Sequence, residues 1–268
     1  MMNNLTTRAV LGQITSASRR AGLDVPKALT DALVRVDQES NDAAHNLDVA
    51  RGQVAGSLRA ALDAGRDPLT DKALTRALLA AVLPERGEAD ILTRWADDRR
   101  AALLAEHLPA LVASWRGVVD EAQAAVAAAR EAAPSVDLTD PLAIAAVPVL
   151  HATTIGQARE GCERADRIAD LWRMAAIATG VAHVGPGEPV ALILADLSAA
   201  EVDKLGGRPN AAKIAHAGHA LELATPDEFH ARVARVAAER NKADSDRQTE
   251  AERYARSGKP VLARLVRR

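Results

Sequence analysis

A seam of small and apolar residues, spaced alternately three and four apart, runs through residues 155–179 and limits the possible folds of this chain more than any other feature. This alternation places the side chains on one stripe of an α-helix and is the heptad pattern of coiled coils. The seam consists of Ile155, Ala158, Cys162, Ala165, Ala169, Trp172, Ala176 and Thr179. Because the stripe is narrow and rich in alanine, the predicted helix needs helical neighbours, from this chain or from copies of it.

Two upstream segments predict long helices of the same kind. Residues 33–61 carry a similar heptad seam, and residues 88–134 carry apolar residues at helical spacing but include Pro109, which predicts a kink or a split. A shorter helix is predicted over residues 70–83. Hydrophobic residues make up 48% of the chain and aromatic residues only 2%, so these helices can pack closely through small side chains. We therefore expect residues 1–180 to form an antiparallel bundle of long, coiled-coil-like helices.

The seam residues are the ones that a neighbouring helix would contact. We predict such interactions at Leu111, Trp115, Val118, Ile155, Ala165 and Trp172. Since the seams are narrow, some of the covering helices are expected to come from further copies, in a homo-oligomer or a larger protein assembly. Cys162 lies within its seam, which favours a small buried residue over a reactive thiol.

The character of the sequence changes beyond Gly180. Residues 190–195 form a continuous apolar run of strand length, and residues 219–224 predict a second short strand. Ser198 with Glu201, and Thr225 with Glu228, have the capping-box spacing that starts a helix. The chain as a whole is thus predicted to be mainly α, with a small α+β unit over residues 181–241 and a charged C-terminal extension over residues 242–268.

Three histidines between residues 216 and 230 raise the question of a metal site. His216, His219 and Glu222 recur every third residue, which on one continuous helix would group two imidazoles with a carboxylate. The helix start at Thr225 argues against a continuous helix and distributes the histidines over a loop, a strand and the next helix. We therefore expect no metal and no cofactor, and His216, His219 and His230 are the candidates that a metal site would use.

Other signals of catalysis or nucleic-acid binding are sparse. The chain has no phosphate-binding loop, no GxSxG nucleophile elbow and no HExxH motif. Asp196 follows the predicted first strand, where a cap for the next helix is favoured over a catalytic carboxylate.

The net charge of −2 gives no overall attraction to polyanions, so nucleic-acid binding is expected to be absent or weak. The candidates for it are Arg264, Arg267 and Arg268. The chain contains no run of about 18 consecutive apolar residues, so no contact with a membrane is expected.

Taken together, these patterns predict a non-enzymatic structural or assembly protein that self-associates through long helices. Heavy use of Ala, Arg, Asp and Val is typical of GC-rich genomes, so the most concrete expectation is a virion or assembly component of an actinobacterial phage. Its expected location is the cytoplasm, or the virion for a phage protein. Two alternatives stay open: a small enzyme or ligand-binding protein with its site in residues 181–241, and a DNA-associated factor that uses its basic C-terminus.

Overall fold

The computed structural model describes residues 7–20, 22–82, 85–181, 191–206 and 209–256. Over these ranges the protein has eleven α-helices and no β-strand, so the predicted mainly α class is confirmed. The helices are α1 (Thr7–Arg20), α2 (Lys27–Gly52), α3 (Val54–Asp63), α4 (Lys72–Val82), α5 (Glu85–Ala132), α6 (Pro141–Ala145), α7 (Val149–Thr179), α8 (Ala191–Leu194), α9 (Ala199–Leu205), α10 (Ala211–His216) and α11 (Pro226–Arg256).

The chain divides into two compact units. Unit 1 comprises Met1–Ser114 and Ile177–Val181, and unit 2 comprises Trp115–Ala176 and Ala182–Arg268. The antiparallel bundle over residues 1–180 and the domain boundary near residue 180 stay predictions.

The long predicted helices form with two differences. The seam over residues 33–61 is divided between α2 and α3 at Gln53, which follows Gly52, a residue that weakens helices. In contrast, α5 continues through Pro109 without a break. Pro109 lies on the exposed side of α5, whereas Leu108 and Leu111 are buried. Packing of the buried side therefore holds this helix together despite the amide donor that proline lacks.

Unit 1 has a core of aliphatic side chains, the largest of which are Ile14, Leu29, Leu104, Leu108 and Leu111. Helix α2 packs on α4, where Arg51 Nε donates a hydrogen bond of 2.9 Å to the Ala80 carbonyl. The Asp71 carboxylate accepts from the Ala73 and Leu74 amides at the start of α4, and these bonds hold the pKa of Asp71 below its ordinary value. Unit 1 is therefore fixed by aliphatic packing and a buried cap.

Unit 2 is built around three aromatic side chains and a close approach of two helices. Trp115, Trp172 and Phe229 are at most 1% exposed, and the Trp172 and Phe229 rings lie 4.9 Å apart between centroids. A Cβ placed on Gly161 of α7 would lie only 3.1 Å from the Ala122 Cα of α5. The small seam residues thus allow α5 and α7 to come nearly into backbone contact, in line with the close packing expected from the sequence.

The two predicted strands of the α+β unit are wrong. Residues 191–194 form the short helix α8, and residues 219–225 have no regular secondary structure. All four α8 side chains are at most 1% exposed, and a continuous apolar run does not by itself distinguish a buried strand from a buried helix. The second segment donates two backbone hydrogen bonds to the first, from the Glu222 amide to the Leu194 carbonyl and from the Ala224 amide to the Ile193 carbonyl. These two bonds satisfy buried polar groups without forming a sheet.

Both predicted helix starts in this region are confirmed. Ser198 accepts from the Glu201 amide while the Glu201 carboxylate accepts from the Ser198 amide, which makes a complete capping box at α9. Thr225 and Glu228 exchange the same pair of bonds at α11. These local signals hold because they depend only on residues three apart.

Candidate functional site

The six predicted interaction residues all lie in the interior. Leu111 is buried in unit 1, and Trp115, Val118, Ile155, Ala165 and Trp172 are buried in unit 2, each at most 7% exposed. Elements of the same chain cover these seams. A partner helix therefore has no access to these residues in the folded protein.

The three histidines have separate surroundings. His216 Nδ1 lies 3.5 Å from a carboxylate oxygen of Asp137, and His219 Nδ1 lies 3.8 Å from Glu201. The exposed His230 ring lies beside Phe229, 6.2 Å between centroids. In the described part of the chain no three His, Cys, Asp or Glu side chains form a group that could hold a metal ion. Spacing in the sequence thus does not translate into a common site.

Ser198, Glu201 and His219 have the residue types of a nucleophilic triad but not its order. The Ser198 hydroxyl donates a hydrogen bond of 2.7 Å to Oε2 of Glu201. His219 Nδ1 lies 3.8 Å from Oε1, the other oxygen of the same carboxylate. In a catalytic triad the histidine lies between the other two residues: one ring nitrogen takes the serine proton and the other is hydrogen-bonded to the carboxylate. Here the carboxylate lies between the serine and the histidine. The bond from the Ser198 amide holds the pKa of Glu201 below its ordinary value, which makes it a poorer base. The cluster serves to cap α9.

Asp196 belongs to an ion-pair network on α11. Its carboxylate accepts from the Arg235 guanidinium, and this bond holds the pKa of Asp196 below its ordinary value. A general base near neutral pH would need the opposite shift. Next to it, the Arg232 side chain is only 6% exposed and donates to the Leu192 and Glu222 carbonyls at 3.1 and 3.3 Å. Together these arginines fasten Leu192, Asp196, Leu197 and Glu222 to α11.

Cys162 and Asp166 lie one turn apart on α7, the first buried and the second half-buried. Burial raises the pKa of the Cys162 thiol to about 12, so almost none of it is thiolate at neutral pH. Burial also raises the pKa of Asp166, whose carboxylate accepts from the Ala211 amide at 2.7 Å. Cys162 therefore packs in the interior, and Asp166 holds the first residue of α10 by a hydrogen bond.

A small cavity in unit 2 lies between the C-terminal end of α5 and the end of α10. Its volume is about 40 Å³, and its polar lining comes from Arg130 and His216. The Arg130 guanidinium already donates to the Ala215 carbonyl. A cavity of this volume has room for one or two water molecules but not for an organic substrate.

An exposed apolar segment of unit 2, which we call the connector patch, was missed by the sequence analysis. It comprises residues 141–150, PLAIAAVPVL, ten uncharged residues that hold α6 and the start of α7. Leu142, Val149 and Leu150 are 79%, 92% and 84% exposed, and they are three of the four most exposed large hydrophobic side chains in the described residues. The signal that could have found the patch is the length of the uncharged run, which is unusual for a surface connector.

Comparisons with known proteins give no relationship on which to base an assignment. No protein-family model, curated protein or solved structure matches this chain. None of the helices in the described ranges combines the length and the hydropathy needed to span a bilayer. The basic candidates Arg264, Arg267 and Arg268 lie outside the described residues.

Proposed function

We propose that this chain is a non-enzymatic structural or assembly protein that associates with further copies of itself through the connector patch. The observation that carries the proposal is the exposure of Leu142, Val149 and Leu150 within one uncharged stretch of ten residues. The seam residues predicted for this role are covered by the chain itself. Several large apolar side chains exposed in one short stretch of a folded protein are typical of an interaction site.

Pairing of two copies is energetically reasonable. Burying one exposed Leu or Val side chain stabilises a complex by roughly 1.5–3 kcal/mol. If the patches of two copies face each other, six such side chains leave water, which is worth about 9–18 kcal/mol. Association itself costs about 4–15 kcal/mol, so a contact that is apolar on both sides is the more favourable one, because it buries six such side chains instead of three. A second copy meets that condition, because an isologous contact brings the same patch twice.

The test is the molar mass of the protein in solution, by light scattering after size exclusion across the micromolar range. We expect a dimer or larger species for the unaltered chain, and a shift towards monomer for the triple variant Leu142→Gln, Val149→Gln and Leu150→Gln. The matched control is Leu69→Gln, since Leu69 is 88% exposed in the turn before α4 and lies outside the patch. A monomeric unaltered chain, or equal association of the triple variant, would contradict the proposal.

The more specific form of the proposal is a virion or assembly component of a phage of a GC-rich actinobacterium. It is supported by the GC-rich amino-acid usage and by the absence of catalytic sequence motifs. The test is the position of the gene. We expect it among capsid, tail or assembly genes, and a position within a metabolic operon would contradict this form.

A further inference from the structure

A second surface, in unit 1, lies between α2 and α4 and is separate from the connector patch. It is an open groove of about 380 Å³. It is lined by Leu47 of α2 and by Lys72, Thr75, Arg76, Leu79 and Ala80 of α4. Leu79 is 63% exposed, and its neighbours Leu78 and Val82 are 44% and 78% exposed. The second half of α4 is therefore apolar on its outer side as well as on the side that packs on α2, which is typical of a helix with more than one neighbour.

The charged side chains that α4 contributes to this groove, those of Lys72 and Arg76, are both positive. Lys72 and Arg76 are one turn apart, and α4 contains no acidic residue. Within the described part of the chain, neither side chain forms an ion pair or a side-chain hydrogen bond. Three cations elsewhere on α2 and α3 do form ion pairs: Lys27 with Asp31, Arg51 with Asp48 and Arg59 with Asp63. The groove thus combines an apolar floor with two unpaired cations at helical spacing.

We propose that this groove binds an acidic amphipathic helix of a partner protein. The apolar stripe of the partner lies on Leu47 and Leu79, and acidic side chains one turn apart meet Lys72 and Arg76. A helix in a groove is recognised by apolar anchors at i, i+3, i+4 and i+7, and two helices that pack on each other, as α2 and α4 do, supply a groove of that kind. The charges select the partner, because a basic helix of the same shape would place like charges together. This proposal is independent of self-association through the connector patch.

The probes for the test are two fluorescein-labelled designed helical peptides of about 18 residues, long enough to hold helical structure. Both carry the same leucine stripe, and they differ only in having Glu or Lys at the positions flanking it. Binding to the full chain is followed by fluorescence anisotropy at low and moderate salt. We expect saturable binding of the acidic peptide, at least about tenfold tighter than that of the basic one, with a difference that narrows as salt rises.

Charge exchange identifies the site. In the double variant Lys72→Glu with Arg76→Glu we expect the preference to reverse, so that the basic peptide binds more tightly. Leu79→Gln should weaken binding of the acidic peptide by about tenfold. The matched control is Lys27→Glu with Arg59→Glu, which alters paired cations outside the groove and should leave the preference unchanged. Circular dichroism and the thermal midpoint show that each variant is folded.

Three results would overturn the proposal. The first is equal binding of the two peptides, or no saturable binding of either, to the unaltered chain. The second is an unchanged preference in the charge-reversed variant. The third is a change in the molar mass of the chain alone in that variant, which would mean that the groove is occupied by a second copy. The first two results leave the connector-patch experiment unaffected.

Discussion

Small residues in the helix seams determine how closely the helices of unit 2 approach. Gly161 of α7 faces the backbone of Ala122 of α5, and both are fully buried. Cys162, beside it, is 1% exposed and fills the same interior. At such positions the side-chain volume, more than its hydrophobicity, decides whether the fold is stable, because interiors are packed as tightly as organic crystals.

Replacement of Gly161 by alanine is therefore expected to destabilise the protein. The new Cβ would lie 3.1 Å from the Ala122 Cα and 3.3 Å from its Cβ, so the backbone of α5 has to give way by a few tenths of an ångström. We expect a loss of about 1–3 kcal/mol in the free energy of unfolding, measured by urea denaturation.

Gly156→Ala is the matched control for this prediction. Gly156 lies in the same helix with nothing within 4 Å of an added Cβ. This variant should gain about 0.4–1 kcal/mol, because alanine has a higher helix propensity and fewer unfolded conformations. Equal effects of the two substitutions would show that α5 and α7 do not approach closely here.

At the scale of elements, the long helices hold an irregular segment by side-chain bonds to its backbone. From α5, Arg116 donates to the Leu223 carbonyl at 2.9 Å, and Gln123 accepts from the Leu221 amide at 2.7 Å. From α11, the buried Arg232 donates to the Leu192 and Glu222 carbonyls. Since residues 219–225 have no ladder or helix of their own, these bonds satisfy polar groups that burial would otherwise leave unpaired.

Loss of the Arg232 guanidinium should therefore destabilise unit 2. In the unaltered chain the Arg232 guanidinium also lies 3.1 Å from the Glu222 carboxylate. Arg232→Met keeps an apolar side chain of similar length, but it removes the partner of this carboxylate and of the two carbonyls. We expect a loss of about 2–4 kcal/mol in unfolding free energy and faster hydrogen exchange at the amides of residues 222 and 224. The control is Arg247→Met, whose side chain is 77% exposed in the same helix and should change stability by less than about 0.5 kcal/mol. Similar losses in both variants would contradict the structural role of Arg232.

Glu228 makes the stability of the α11 start depend on pH. The bond from the Thr225 amide, and then the Arg116 guanidinium, hold the pKa of Glu228 below its ordinary value of 4.5. A lowered pKa in the folded state means that the stabilisation is present above the ordinary value and is lost as pH falls through the lowered one. Glu228→Gln should therefore be less stable than the unaltered chain at neutral pH, and the difference should shrink in acid. The measurement is the urea midpoint over that pH range.

Asp166→Asn supplies a control of opposite sign for this prediction. Burial raises the pKa of Asp166, so its ionised form is penalised in the folded state. An asparagine oxygen can still accept from the Ala211 amide. This variant should equal or exceed the unaltered chain in stability at neutral pH, with the advantage fading in acid as Asp166 becomes protonated. The same pH profile for both variants would contradict the opposite shifts.

At the scale of the whole molecule, the chain has two cores of different composition. The core of unit 1 is aliphatic and includes Ile14, Leu29 and Leu104, whereas that of unit 2 holds Trp115, Trp172 and Phe229. The largest buried side chains of unit 2 are these three, although only five aromatic residues occur in the chain. Substitution in one core is therefore expected to act mainly on its own unit.

Phe229→Ala tests this separation. Removal of the ring beside Trp172 should cost unit 2 about 3–5 kcal/mol. We expect hydrogen exchange, followed by mass spectrometry, to speed up in peptides from α7 and α11 while α1–α4 keep their protection. Leu29→Ala in unit 1 should give the reverse pattern, since Leu29 is 1% exposed. Equal loss of protection in both units would show that the two cores unfold together.

Much of the local structure was predictable from the sequence, and most of the candidate site was not. The helical class, the burial of the seam around Trp172 and the capping boxes at Ser198 and Thr225 follow from patterns within a few residues. The strands at residues 190–195 and 219–224 failed because short buried apolar segments have no periodicity that identifies them. The connector patch was missed because exposure is a property of the folded chain.

The sequence by itself determined which face of each helix is apolar and where α9 and α11 begin, because side chains three or four residues apart lie on one stripe and caps act within one turn. Only the tertiary structure decided what covers those faces. The hydrophobic effect is not directional, so a seam such as that of Trp115 and Trp172 is satisfied equally by the same chain or by a copy. In unit 2 the chain covers the seam of Trp115 and Trp172 itself, and the surfaces that we propose for partners among the described residues are the connector patch and the groove between α2 and α4.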